Sequence, residues 1–507
     1  MTVPPMDEHN QALVNHVHPP DWRNPQPTET YDLVVIGAGT AGLVVAKGAA
    51  GLDVGLKVAL IERHLMGGDC LNVGCVPSKT LIRSSRVVAE MQGSDRYGIK
   101  PVESPEVDFP AVMQRVRRVR ATISPIDSAA SAQKAGVDVF LGSGTFTSAN
   151  TISVAGKTLR FKKAVIATGA RAVRPDVEGI DEVDVLTNET VFNLTERPRR
   201  LAVVGGGPIG CELAQAFRRL GSEVILFHRG HHLLNKEDPE AAEIVQRQFL
   251  QEGIQLALNS EPTRFEATPD GKRIHYMQDG QAQTITVDEI LIGAGRAPNV
   301  ESLNLEAVGV DYDARKGVRV NDYLQTSNPN IYAAGDVCMN WKFTHAADAA
   351  ARIVIKNTLF SPFGLGRYKL SDLVMPWATY TEPEIAHVGL YEAEAQQQGI
   401  ATQTIKIPFH DLDRAIADGE EDGFVKILHK QGADEILGAT IVARHAGDLI
   451  SEVTTAITNK IGLSKMASVI HPYPTQAEGV KKAADAYRRT LLTPRTKWFL
   501  GLLTKVS

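Results

Sequence analysis

Past a polar first stretch, the chain settles into short apolar runs punctuated by glycine. DLVVIGAGTAGLVVAKGAA at 32–50 reads as an apolar strand, a glycine turn and an alanine-rich helix, and LAVVGGGPIGCELAQAF at 201–217 repeats the arrangement. Between them, VDVFLGSGTFTSANTISVAGKTLRFKKAVIATG at 137–169 alternates polar and apolar positions, which predicts antiparallel strands closing on the apolar strand KAVIATG. DEILIGAGRAPN at 288–299 repeats that closing pattern. After about residue 370, strand-like segments (VMPWATYT, FVKILHK, EILGATIVA) alternate with helical ones (HAGDLISEVTTAITNK, TQAEGVKKAADAYRRT), which predicts a separate α+β unit.

The two ends differ from this pattern. Residues 1–30 are rich in Pro, His and Asn and read as an irregular arm with one short helix near Asp7 to Asn15, resting on the body. The last segment, TPRTKWFLGLLTKVS, mixes Trp498, Phe499, Leu500, Leu502 and Leu503 with Arg495, Lys497 and Lys505. Such a mixture can lie on a membrane surface. Packing against the body or a partner subunit is the expectation.

At 507 residues the chain is long enough for roughly three domains, and its 43% apolar and 22% charged residues are ordinary globular usage. A net charge of −5 argues against a nucleic-acid binder. The first residues lack a basic start followed by an apolar stretch, and no apolar run approaches the ~18 residues of a membrane span, so neither secretion nor membrane spanning is expected. Four cysteines, Cys70, Cys75, Cys211 and Cys338, are too few for a disulfide framework and fit a reducing cytoplasm.

Two motifs carry dinucleotide chemistry. Gly37, Gly39 and Gly42 follow a strand and precede a helix, and Glu62 ends the next strand, KVALIE. Glycines there allow a tight turn and close backbone approach, the helix N-terminus faces a pyrophosphate, and the carboxylate accepts from ribose hydroxyls. Gly205, Gly207 and Gly210 repeat the motif, but the next strand, EVILF, ends in His228 and Arg229. A cation in place of the carboxylate attracts a 2′-phosphate, so NADPH is preferred over NADH, although a merely solvated arginine is the plainer reading.

GGDCLNVGCVPSK at 67–79 holds two cysteines five positions apart among glycines, with Lys79 following. A redox or catalytic pair fits this setting. Ordinary buried thiols or two metal ligands are the alternatives, but no second ligand pair stands at zinc-like spacing, so no metal site is expected. Cys211 and Cys338 sit in apolar stretches and read as buried structural thiols.

The ordered series GAGTAG, GGDCLNVGCVPSK, AVIATG, GGGPIGCE, IGAGRAPN, IYAAGDV and HPYPTQAE resembles the flavoprotein disulfide reductases, from about Tyr31 to Arg489. The resemblance implies an α/β fold with two Rossmann-like units, for FAD and NAD(P), plus an α+β C-terminal dimerisation domain and a homodimer. The expected division is an arm at 1–30, an FAD domain split over 31–180 and 300–368, an NAD(P) domain at 181–299, an interface domain at 369–490 and an amphipathic tail at 491–507. It also implies that Cys75 lies against the flavin and Cys70 faces the substrate, that Lys79 and Glu212 form an ion pair beside flavin N5, and that Asp336 holds the ribityl chain. The helix near His345 and Ala346 would point at the isoalloxazine. Further cofactor contacts are implied at Arg63, Gly68, Thr168, Gly169, Gly295, Arg296 and Gly335.

Within that family, dithiol-using members place a histidine before Pro-Thr in the last motif, paired with a glutamate. Here the position is Tyr473, with Glu478 retained and His471 two residues early. With a reference pKa near ~10, tyrosine is a poor base for a thiol. Tyrosine there is similar to mercuric reductases, whose soft metal ion, held by thiolates, needs no such base. Those enzymes also carry a cysteine pair near the C-terminus, whereas no cysteine follows Cys338. The acceptor expected is therefore a metal ion, a quinone or a small disulfide. A dihydrolipoamide dehydrogenase and a non-catalytic flavin-binding sensor or docking protein are the alternatives, the latter opposed by the retained Cys70, Cys75, Lys79, Glu212 and Asp336. Tyr380, in WATYTEPE, could line the same cavity or simply pack.

Overall fold

The computed structural model describes residues 1–505; Val506 and Ser507, the end of the expected tail, lie outside the described residues. Its first sheet forms around the strand Tyr31–Ile36, five of whose six residues are fully buried. That strand pairs in parallel with Val58–Glu62 on one side and Lys157–Ile166 on the other. The long strand Lys157–Ile166 does two jobs. Its first half pairs antiparallel with Thr151–Val154, while its second half joins the parallel sheet and also takes Ile331–Ala333 from far along the chain. Strands buried on both faces need such continuous apolar sequence, and AVI and IYA supply it.

One expectation is corrected here. Val137–Leu141 is not antiparallel: it runs parallel to Val58–Glu62 at the sheet's edge. Its polar Asp138 suggested a half-solvated hairpin strand, but that carboxylate instead accepts the hydroxyl hydrogen of buried Tyr31 at 2.7 Å. Only Thr145–Ser148, Thr151–Val154 and the start of Lys157–Ile166 form the antiparallel meander.

The N-terminal segment is more than a resting arm. Its helix, Glu8–Val17, is capped by Asp7, whose carboxylate accepts from the Asn10 amide, and Leu13, Val14 and Val17 join the core beneath the helix Thr40–Ala50. Asn10 is fully buried.

The second sheet repeats the first in smaller form, with the parallel order Gln255–Leu258, Glu223–His228, Arg200–Val204 and Glu289–Ile292, beside an antiparallel sheet of three strands spanning 261–287. The helix of its glycine turn, Pro208–Arg219, buries Leu213, Ala216 and Phe217 against Leu81, Phe109 and Met113, so the helices Cys75–Gln92 and Phe109–Ile123 share one core with the second unit.

The C-terminal unit is a five-stranded antiparallel sheet backed by the helices Ala446–Thr458 and Glu478–Thr490. Two of its strands, Glu384–Gly389 and Thr402–Pro408, lie outside the segments that the sequence pattern predicts as strands. The first is buried throughout except its last glycine, and the second carries charge and amide groups on an edge, so neither shows the clean alternation that marks a half-buried strand. Of the two partners expected for the tail, the body does not cover it within this chain: Pro494–Leu503 is a helix with no buried residue. Among the described residues, no helix is long and apolar enough to cross a membrane.

Candidate active site

The two cysteines sit on consecutive helices. Cys70 lies in the short helix Gly68–Asn72, and Cys75 opens the long helix Cys75–Gln92, joined through Gly74. A Cβ on Gly74 would fall 2.8 Å from the Asp69 carbonyl, so only glycine lets the chain turn tightly enough to set the two thiols side by side. Both are free thiols here, Cys75 exposed and Cys70 half-buried. A thiol at a helix N-terminus is already biased toward thiolate. The hydrogen bond from Cys70 adds to this, as do Thr344, whose Oγ1 lies 3.3 Å from Cys75 Sγ, and the charge of Lys79; together they outweigh burial and the Glu212 charge and push the Cys75 pKa down to about 6. Cys70 moves the opposite way, because its proton is held on Cys75 and the group is buried.

One helical turn beyond Cys75, Lys79 Nζ donates to Glu212 Oε2 at 2.8 Å. Burial alone would lower the Lys79 pKa, but the Glu212 carboxylate holds it above its ordinary value. Glu212 is itself fixed by the Tyr380 amide, which donates to Oε1 at 3.0 Å, while the Tyr380 ring lies under the lysine with its centroid 4.4 Å from Nζ. Lys79, Glu212 and Tyr380 come from three different parts of the chain, and the shared core beneath Pro208–Arg219 brings them together.

At the first glycine turn, a Cβ on Gly42 would sit 1.7 Å from the Gly37 carbonyl, and one on Gly68 would sit 2.6 Å from the Gly39 Cα. The floor between Gly39 and Gly68 is therefore bare backbone, which fits close approach by a dinucleotide pyrophosphate. Glu62 accepts from the Ala38 amide at 2.6 Å and the His64 amide at 2.7 Å, so both oxygens are oriented at the strand's end. Arg63 beside it is exposed. Thr168 and Gly169 are fastened to the returning chain: Thr168 Oγ1 donates to the Asn299 carbonyl at 2.6 Å, and the Asn299 amide donates to Gly169 at 2.9 Å. Arg296, next to Gly295, bridges Asp69, neighbour of Cys70, and Asp336, 3.4 Å away. Burial raises the Asp336 pKa, against the pull of Arg296 and Lys342. Asp336 follows Gly335 at the end of Ile331–Ala333, where the chain leads to the helix Thr344–Leu359 carrying exposed His345 and buried Ala346.

The second turn repeats the first: a Cβ on Gly210 would lie 1.8 Å from the Gly205 carbonyl, and Gly207 opens the helix Pro208–Arg219. At the ribose position, His228 Nδ1 accepts from the Gly206 amide at 3.3 Å, while its Nε2 is buried without a partner. Burial, with His232 and Arg229 adding, keeps His228 below the ordinary histidine pKa and hence neutral. Arg229 is exposed beside it. A buried unsatisfied N–H next to an exposed cation fits a ligand that carries both acceptor oxygens and negative charge.

Tyr473 and Glu478 do not join the cysteines within this chain. Tyr473 is 70% exposed and its hydroxyl donates to Asp413 at 2.8 Å, while Glu478 opens the helix Glu478–Thr490. His471 is held by Glu452 at 2.8 Å. Of the structural thiols, Cys211 is fully buried and Cys338 half-buried.

Some residues of the site carried no readable signal. Thr344 stands 269 positions from the thiol it faces. Arg120, 1% exposed, donates to the Asn72 carbonyl between the two cysteines at 2.7 Å and to Asn10 of the N-terminal segment at 3.0 Å. An arginine among the several of Phe109–Ile123 reads as a solvated face, and nothing local distinguishes Arg120.

Residues 31–351 match the family described as pyridine nucleotide-disulphide oxidoreductase, and residues 375–484 match its dimerisation domain. The mercuric reductase of Lysinibacillus sphaericus is 35% identical, over 91% of this chain and 84% of that protein. The dihydrolipoyl dehydrogenase of Chlamydia muridarum is 34% identical, over 89% of this chain and 95% of that protein. Among solved structures, the Cu(II) complex of the HOCl-induced flavoprotein disulfide reductase RclA from Escherichia coli superposes with a TM-score of 0.78 at 26% identity, over 89% of this chain and 98% of that one.

Proposed function

Because the chain belongs to the pyridine nucleotide-disulphide oxidoreductases, a family that is FAD-dependent and uses NAD(P)H, we propose that it draws electrons from NADPH and delivers them through Cys70 and Cys75 to a small-molecule or metal-ion acceptor, in the manner of a mercuric reductase. The observation that carries the reading is the depressed Cys75 thiol, set at a helix start against Thr344 and one turn from the Lys79–Glu212 pair.

Gly37, Gly39, Gly42, Glu62, Arg296 and Asp336 would hold FAD, with Gly68, Thr168 and Gly169 lining the same cleft. Bound there, FAD would supply two-electron chemistry between the nicotinamide and the cysteine pair. Around it the chain's own groups have defined tasks. Lys79 supplies a cation where negative charge gathers, and Glu212 and Tyr380 fix its position. Cys75 is the thiol that ionises first, and Cys70 keeps its proton near neutrality. A thiolate paired with a second thiol is a suitable donor set for a soft metal ion. The relatives named mercuric reductase and the Cu(II)-bound structural relative support a metal ion as the acceptor class.

NADPH is the proposed donor because neutral His228 and exposed Arg229 replace the ribose-binding carboxylate. Tyr473 and Glu478 can serve the dithiol only from a second copy of the chain, an arrangement that the match to a dimerisation domain supports.

Anaerobic NADPH consumption by the FAD-loaded protein tests this, with Hg(II) plus excess thiol, lipoamide, glutathione disulfide and a quinone as acceptors. Turnover with Hg(II) that Cys75→Ala abolishes is the expected result. Cys75-dependent turnover with another acceptor alone would discard the metal and keep the route, and turnover untouched by Cys75→Ala would overturn both.

A further inference from the structure

The last helix, Pro494–Leu503, folds on its own terms. Thr493 caps it, accepting from the Thr496 amide at 3.2 Å, and Pro494 occupies the first turn, where a missing N–H costs nothing. Yet it buries no residue: Trp498, Phe499, Leu500 and Leu502 are 69%, 55%, 44% and 41% exposed, and Leu491 and Leu492 just before it are 47% and 44% exposed. Scattered exposed leucines are normal, whereas a contiguous aromatic and aliphatic cluster marks a binding surface. The 3.6-residue period sets Trp498, Phe499 and Leu502 on one side of the helix, with Arg495 among them, and Leu500 beside Lys497 on the other.

Charge identifies what covers this face. From Ala486 to Lys505 the chain carries Arg488, Arg489, Arg495, Lys497 and Lys505 and no acidic residue, in a protein whose net charge is −5. The match to the dimerisation domain ends at residue 484, before any of them. Trp, Phe and Leu beside lysine and arginine is the composition of a helix lying in a lipid headgroup layer. Ten residues are too few to span a bilayer, which takes ~20.

We propose that the C-terminal tail docks the protein on an anionic lipid surface, with Trp498, Phe499 and Leu502 at the acyl boundary and the five cations among the headgroups. This stands apart from the electron-transfer reading and does not depend on it.

The test is co-sedimentation of the FAD-loaded, full-length protein with vesicles of phosphatidylcholine containing one-quarter phosphatidylglycerol, beside vesicles of phosphatidylcholine alone. Binding should need the anionic lipid and weaken as salt rises. Trp498→Ser/Phe499→Ser should weaken it at least about tenfold, and Arg495→Gln/Lys497→Gln about 25-fold, at about fivefold per cation removed near the surface. Bound-flavin absorbance and melting temperature should be unchanged in both variants, which shows that they fold. Absence of binding to the anionic vesicles, or equal binding by Trp498→Ser/Phe499→Ser, overturns the proposal. So does a change in oligomeric state of that variant by light scattering, which would give the face to a second copy.

Discussion

At the first glycine turn, an added Cβ on Gly37 would meet the Ala167 carbonyl at 2.3 Å; at the second, one on Gly205 would meet the Gly293 carbonyl at 2.5 Å. Both turns place the following amide against the residue that ends the next strand, Ala38 against Glu62 and Gly206 against His228. Backbone and sterics are thus nearly superimposable in kind. The difference is charge: the first unit offers an oriented carboxylate, the second a neutral, buried imidazole with an exposed arginine beside it. A fold that cradles a pyrophosphate leaves ribose chemistry to one or two side chains at a strand's end, and these set which dinucleotide each cleft prefers.

Substitutions at these residues test the contrast. The largest effect is expected from Glu62→Ala, which removes the carboxylate offered to the FAD ribose hydroxyls, a charge-assisted contact contributing ~1.5–3 kcal/mol, and leaves the Ala38 and His64 amides that orient it without their acceptor. FAD affinity should fall about 100-fold, so the purified protein loses its flavin absorbance, while His228→Ala keeps it. A flavin lost by His228→Ala and kept by Glu62→Ala would reverse the assignment of the two clefts. Next, Arg229→Ala should lower kcat/KM for NADPH by about 30-fold, from ~2 kcal/mol for a lost cation–phosphate contact, and leave NADH untouched. Equal losses for both cofactors would show that Arg229 does not read the 2′-phosphate.

Lys79 links the halves, leaving a helix beside the first turn to pair with Glu212 of the second. With its charge gone in Lys79→Met, Cys75 should ionise about one pH unit higher. Iodoacetamide alkylation of the reduced wild type should rise through a transition near pH 6, and the variant's transition should lie above it. His228→Glu, which copies the first unit into the second, should shift the kcat/KM ratio about tenfold toward NADH.

The smallest effect is on stability. Burial lowers the His228 pKa, so below the ordinary histidine value of ~6.5 the unfolded chain binds a proton that the folded one resists. The stability that His228 contributes is present above that value and is lost as pH falls through it. The melting temperature should therefore drop less between pH 7.5 and about 5.5 in His228→Gln than in the wild type; an equal drop would mean that the imidazole titrates normally.

Much of the site could be read from the chain alone, because its signals are local. Gly37, Gly42, Gly205 and Gly210 declare turns in which any Cβ would strike backbone a few residues away or on the next strand. Gly74 permits the cysteine pair for the same reason, and the five-residue spacing then places Cys75 at a helix start. Other features gave no such sign. Val137–Leu141 has the same alternation whether its neighbour runs parallel or antiparallel, and its parallel sense shows only in its pairing with Val58–Glu62. Arg120, Thr344 and Asn10 matter through partners far along the sequence, and tertiary packing alone brought them to the cysteine loop.

The two nucleotide turns, the reactive pair and the residue types beside it follow from near neighbours in the chain, since backbone strain and helix position depend on them. That the first residues are built into the core, that the last helix stays off it, and that one thiol ionises before the other came from long-range packing. Burial and electrostatics sum over whatever the fold brings within a few ångströms, and no local pattern records that sum.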